Sequence, residues 1–196
     1  MIEMLRVLKE DVIAESIVNK LKEHQELNRI QELKCKLGIE VFLINLGKAI
    51  VVYAAAILLQ TVPLTFLFHC GYLAVRIHAR GIHAKKSSVC TGISIPLFVL
   101  LPLLVNEITI PKSLAVVIVS ISYLCLYKYA PCDTEKNRIT DMQLRMKLRN
   151  KSLMGYSLCG LLFLTTNSQV VFNQVFFGSL LAIICILPIT YKIIER

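Results

Sequence analysis

The chain has 196 residues, 56% of them apolar, with a net charge of +9 and a mean hydropathy of +0.65. A soluble domain averages roughly 45–50% apolar residues, so these values exclude an ordinary water-soluble domain and point to an integral membrane protein, of one domain by length. The positive charge falls between apolar runs, where membrane topology accounts for it, so no nucleic-acid partner is expected.

The first six residues carry mixed charge and lead into no uninterrupted apolar run, so no secretory signal peptide is expected. Residues 1–36 hold seven acidic and seven basic side chains. Ile13, Ile17 and Leu21, then Leu27, Ile30, Leu33 and Leu37, recur at helical spacing. This pattern predicts a cytoplasmic or interfacial arm of one or two amphipathic helices, lying on the membrane surface or against the bundle. The alternative is a solvated helical arm.

Six apolar segments follow in residues 37–196, at about 39–59, 62–75, 90–105, 113–127, 153–165 and 170–189. The first has the ~20 residues a span needs. It contains Glu40, Asn45 and Lys48, and a lysine inside a span is expected to face protein or a polar cavity. Pro63 interrupts the second segment, and Pro96 and Pro102 the third. Several segments are short for a hydrocarbon core of ~30 Å, so some are expected to dip back or to extend into polar flanks. The fold class is all-α: a polytopic membrane protein with six hydrophobic segments behind an amphipathic arm.

Charge sets the orientation. Residues 1–36, 76–86 and 128–151 carry seven, four and seven Lys/Arg, while the alternate connections are nearly bare. The positive-inside rule then puts both termini and the loops at 76–89 and 128–151 in the cytoplasm, where thiols stay reduced. Seven cysteines at irregular spacing include no CxxC pair, which argues against a zinc ribbon or a thioredoxin-type site. His69, Cys70, His78, His83 and Cys90 match no common zinc spacing, so neither a metal nor another cofactor is expected.

The charged stretch 76–90 carries the chemistry. Cys90 lies seven residues after His83. A cysteine nucleophile needs thiolate character and a base within hydrogen-bond reach. Lys85 and Lys86 bring positive charge, and Ser87 and Ser88 are good helix N-caps. A cap there would put Cys90 in a first helical turn, which favours an anion. On one continuous helix residues 83 and 90 would stand about 10 Å apart, so a working pair requires the chain to turn around 84–88. His78 is an alternative base. Otherwise Cys90 is a buried thiol beside an interfacial histidine.

The pattern Arg76…Gly81-Ile82-His83-Ala84…Cys90…Ser94, together with Tyr129-Ala130-Pro131-Cys132-Asp133-Thr134-Glu135, resembles the accessory gene regulator B family of quorum-sensing peptidases. The resemblance runs from about Gly38 onward. Two positions differ from the family pattern: Arg80 stands where a glycine is common, and Lys136-Asn137-Arg138 replaces the usual Lys-Pro continuation.

The resemblance implies a cysteine endopeptidase of the bacterial cell membrane that cuts a short, amphipathic pro-signal peptide on its C-terminal side. Cys90 would attack and His83 would act as base, then acid. A cysteine or serine within the substrate would displace Cys90 from the thioester and close a thiolactone or lactone. Arg76, Gly81, Lys85, Lys86, Ser94 and Asp133 would support the loop or bind substrate. The lipid bilayer and a second copy, in a homodimer, are the other partners the resemblance admits. The rival reading is a small polytopic transporter or channel subunit, with Lys48 and Glu40 lining a pathway.

Overall fold

The computed structural model describes residues 10–80, 92–132, 139–188 and 190, and among them every extended element is helical. In chain order these are α1 (Glu10–Lys22), α2 (Arg29–Leu58), α3 (Val62–Ala79), α4 (Gly92–Asn106, with a π-helical turn at Pro96–Leu100), α5 (Lys112–Tyr129), α6 (Met142–Thr165) and α7 (Gln169–Ile184). The chain forms two compact units, residues 1–52 and 53–196.

In the first unit α1 and α2 make an antiparallel hairpin. Lys22 reaches Glu32 at 3.0 Å and Lys36 reaches Glu15 at 2.8 Å, one pair near the turn and one further along. Ala14 and Val18, four residues apart on α1, are buried. Asn28 starts α2 with a reciprocal cap: Gln31 N–H donates to Asn28 Oδ1 at 2.9 Å, and Asn28 N–H to Gln31 Oε1 at 3.0 Å. The helix then passes through residues 36–38 without a break, so the second half of the expected arm and the first apolar segment form one rod. At 30 residues it is about 45 Å long. Val41, Phe42, Leu46 and Ile50 are exposed along it, Lys48 is half-buried and Asn45 exposed.

In the second unit α3 is the hub, packed against α7, α6 and α4. Pro63 does not interrupt this helix. It sits in the first turn, where its missing N–H leaves no bond unmade. Backbones approach closely through small residues. A Cβ added at Gly71 would stand 2.5 Å from Val175 O, one at Gly178 2.1 Å from Phe68 O, and one at Gly155 2.0 Å from Ala74 O. Such contacts are how helices associate where no hydrophobic difference between lipid and protein drives them together.

Among the described residues two helices, α2 and α5, are long and apolar enough to cross a membrane, while α4 and α7 are shorter apolar helices. α6 extends eleven residues further toward its N-terminus than the apolar segment at 153–165, back to Met142, because Arg145, Lys147, Arg149 and Lys151 are good helix formers. Asp141 caps it, accepting from Gln143 N–H at 2.9 Å.

The polar ends of these helices sort to two poles. Ala79, Ala130, Ile183 and Ile186 share one apolar cluster, so the C-terminal ends of α3, α5 and α7 meet. At the other pole Asn173, near the start of α7, meets Val105 and Ile108, at the end of α4.

Candidate active site

The first pole is built around the end of α3. Arg76, 9% exposed, donates through Nη1 to the carbonyl of Arg80, whose own N–H returns to Arg76 O at 3.0 Å. Arg80 ends the helix with φ 57° and ψ −149°. That region is occupied almost only by glycine, the residue common at this position in the pattern described above.

The segment after α5 docks here. Cys132 N–H donates to Ala79 O at 2.9 Å, and Arg80 and Cys132 form an isolated parallel bridge. Cys132 Sγ lies 3.7 Å from Ile186 O, past the end of α7. Pro131, after a cis Ala130–Pro131 peptide, is buried. Two sequence motifs some fifty residues apart are therefore one structural joint. The basic flank of α6 lies at the same pole, with the Arg149 guanidinium 4.8 Å from the Tyr127 ring centre.

His83, Cys90, Gly81, Lys85, Lys86 and Asp133 lie outside the described residues, as does the turn expected around 84–88. Chain connectivity still ties the candidate pair to described anchors. His83 follows Arg80 by three residues and Cys90 precedes Gly92 by two, spans of at most about 11 Å and 7 Å of extended chain. Ser94 is half-buried in the first turns of α4, and His78 is half-buried near the end of α3. Among the described residues no group of three or more His, Cys, Asp or Glu side chains could share a metal ion.

The sequence of the Accessory gene regulator B family matches residues 14–186, nearly the whole described structure. The chain belongs to this family. It is 35% identical to the accessory gene regulator protein B of Staphylococcus intermedius over 89% of this chain and 92% of that one. It is 30% identical to an AgrB-like protein of Clostridium acetobutylicum over 94% and 88% of the two chains. An AgrB-like protein of Listeria innocua is 34% identical over 84% and 80%. No solved structure matches. Family membership ties the chain to accessory gene regulator quorum sensing.

Two buried amides escaped the sequence reading. Asn173 and Gln174 are both 0% exposed inside α7. Asn173 Nδ2 faces the carbonyls of Val105, Asn106 and Ile108 at 2.9, 3.2 and 2.8 Å, and Gln174 Nε2 donates to Pro102 O at 2.9 Å. Their one signal was a pair of adjacent amides in an otherwise apolar run.

Proposed function

We propose that the chain is a multi-pass membrane cysteine endopeptidase that cleaves and cyclises a short pro-signal peptide, with both termini and the reactive loop on the cytoplasmic side. In the first step neutral His83 takes the Cys90 thiol proton and the thiolate attacks the scissile carbonyl. The tetrahedral adduct collapses as His83 returns that proton to the leaving amine, releasing the C-terminal part of the peptide. A thioester joins Cys90 to the remainder. In the second step His83 takes the proton of a thiol or hydroxyl within that remainder. The new nucleophile displaces Cys90, whose sulfur recovers the proton. The exchange of one thioester for another releases little bond energy, so exclusion of water decides between cyclisation and hydrolysis.

The observation that carries this reading is the hydrogen bond from Cys132 N–H to Ala79 O at 2.9 Å. It joins the second family motif to the stem of the segment that bears His83. A joint at the membrane face suits an amphipathic substrate that arrives along the lipid. Arg76 holds the stem, and Lys85, Lys86 and Asp133 engage the substrate or steady the loop.

The test is co-expression in membranes with a short amphipathic peptide encoded in an adjacent reading frame. Unsubstituted chain converts it, whereas Cys90→Ala and His83→Ala do not. Conversion by Cys90→Ala would refute the peptidase reading.

A further inference from the structure

α4 leads directly from the proposed nucleophile, and it does not set its own depth. Pro96 and Pro102 remove two of its N–H donors, and residues 96–100 form a wide π turn. Its position comes from what it is bonded to. Midway, Phe98 packs on three α3 rings, at centroid distances of 6.0 Å to Phe68, 4.8 Å to His69 and 4.9 Å to Tyr72. At its end the Asn173 and Gln174 amides hold four carbonyls of residues 102–108. Gln169 Nε2 donates to Asn173 Oδ1 at 2.9 Å and fixes that amide in turn.

Burying two amides in an apolar helix is costly unless they are bonded. Here their N–H donors go to a neighbouring element, while Asn173 Oδ1 accepts from Gln169 of α7 itself. α7 also runs beside α3 at backbone contact, through Gly71 and Gly178. α3 ends at the cap residue Arg80, three residues before His83, and α4 starts two residues after Cys90. α7 is thus the common reference for both anchors of the reactive loop.

We propose that Asn173 and Gln174 are positioning residues for the peptidase reaction: they fix the depth and rotation of α4, and through it the place of Cys90 relative to His83. This rests on the reading under Proposed function. The competing role is purely structural, the capping of exposed carbonyls.

The experiment uses the full chain in membranes, with the co-expressed peptide as substrate and iodoacetamide as thiol probe. Site-resolved mass spectrometry reads Cys90 and Cys132 in the same sample. Asn173→Leu is expected to lower kcat by about 100-fold, the effect of a misplacement near 1 Å, with little change in KM. Its Cys90 alkylation rate and pH profile should change, while Cys132 alkylates as in the unsubstituted chain. Unchanged cleavage with an unchanged Cys90 profile overturns the proposal. So does a parallel change at Cys90 and Cys132, which marks general loosening. If Asn173→Leu fails to accumulate, Gln174→Met, which loses one hydrogen bond at similar volume, is read the same way. Cleavage by Cys90→Ala removes the peptidase reading and this one together, whereas Cys90-dependent cleavage that ignores both amides removes this one alone.

Discussion

The backbone of Cys132 is hydrogen-bonded to that of Ala79 at 2.9 Å, and this single contact closes a loop of more than fifty residues. Ala79 is the last residue of α3 and is fully buried. Beyond it the chain turns at Arg80 into the segment that carries His83. The stem of the proposed reaction loop is therefore tied on its far side to the segment after α5, and through Cys132 Sγ to the carbonyl of Ile186.

Cys132 should tolerate loss of its sulfur but not of its N–H. Cys132→Ala removes the weak thiol contact with Ile186 O, of about 0.5–1 kcal/mol, and trims a side chain packed at the edge of the apolar cluster. Cys132→Pro deletes the donor and strands a buried carbonyl, at a cost of about 1–3 kcal/mol concentrated at the stem. Peptide conversion in membranes should survive the first change and fall sharply with the second, at equal amounts of protein.

Arg80 should be improvable. Its φ of 57° with ψ −149° is a glycine conformation, which costs a bulky residue about 1–3 kcal/mol. Arg80→Gly relieves that strain but gives the unfolded chain more freedom, worth about 0.5–1 kcal/mol. The expected net is a gain of about 1 kcal/mol, read as a higher unfolding midpoint in detergent micelles. Arg80→Val, β-branched, should lower the midpoint.

The paired charges of the N-terminal hairpin give a pH dependence with a definite sign. The hydrogen bond to the Glu15 carboxylate raises the Lys36 pKa, and the charges of Glu15, Glu40 and Asp11 act in the same direction. A raised lysine contributes fully below its unfolded value of about 10.4 and loses that contribution as pH climbs through the folded value. Spin labels on α1 and α2 should therefore report a constant distance from neutral pH to about 10 and a broader distribution above it. Lys36→Met should abolish that alkaline change. The pair is solvent-exposed, so its removal should move overall stability little.

Hydropathy located the helices because each apolar segment must bury its backbone bonds internally, and the described residues of all six are mostly helical. It misplaced their ends. Lys and Arg lower hydropathy yet favour helix, so the 153–165 segment begins at Met142. Pro63 read as an interruption because spacing alone does not show that it occupies a first turn. The candidate segment stood out by composition, since His83 and Cys90 lie together in a polar stretch between two apolar runs. What joins it to Cys132 did not, because a backbone hydrogen bond leaves no trace in side-chain pattern. Asn173 and Gln174 were missed for a related reason: hydropathy averages treat a bonded amide and an unbonded one alike.

Close helix packing makes the last prediction. At Gly178 an added Cβ would meet Phe68 O at 2.1 Å, and at Gly155 it would meet Ala74 O at 2.0 Å. Both obstacles are helix backbone, which cannot swing aside as a long side chain can. Gly178→Ala and Gly155→Ala should therefore push α7 or α6 off α3. Overpacking of this kind costs about 1–3 kcal/mol, more than the gain of about 1 kcal/mol in helix propensity that alanine brings. Gly160, also on α6, has nothing within 4 Å of its added Cβ. Gly160→Ala should thus keep the propensity gain and raise stability. Opposite shifts in the unfolding midpoint for Gly155→Ala and Gly160→Ala, two substitutions of the same chemistry on one helix, are the expected result. Equal shifts in one direction would mean that α3 and α6 do not approach at Ala74. Because the α3–α7 contact also sets the relation between the two loop anchors, Gly178→Ala should lower peptide conversion more than Gly155→Ala at matched stability.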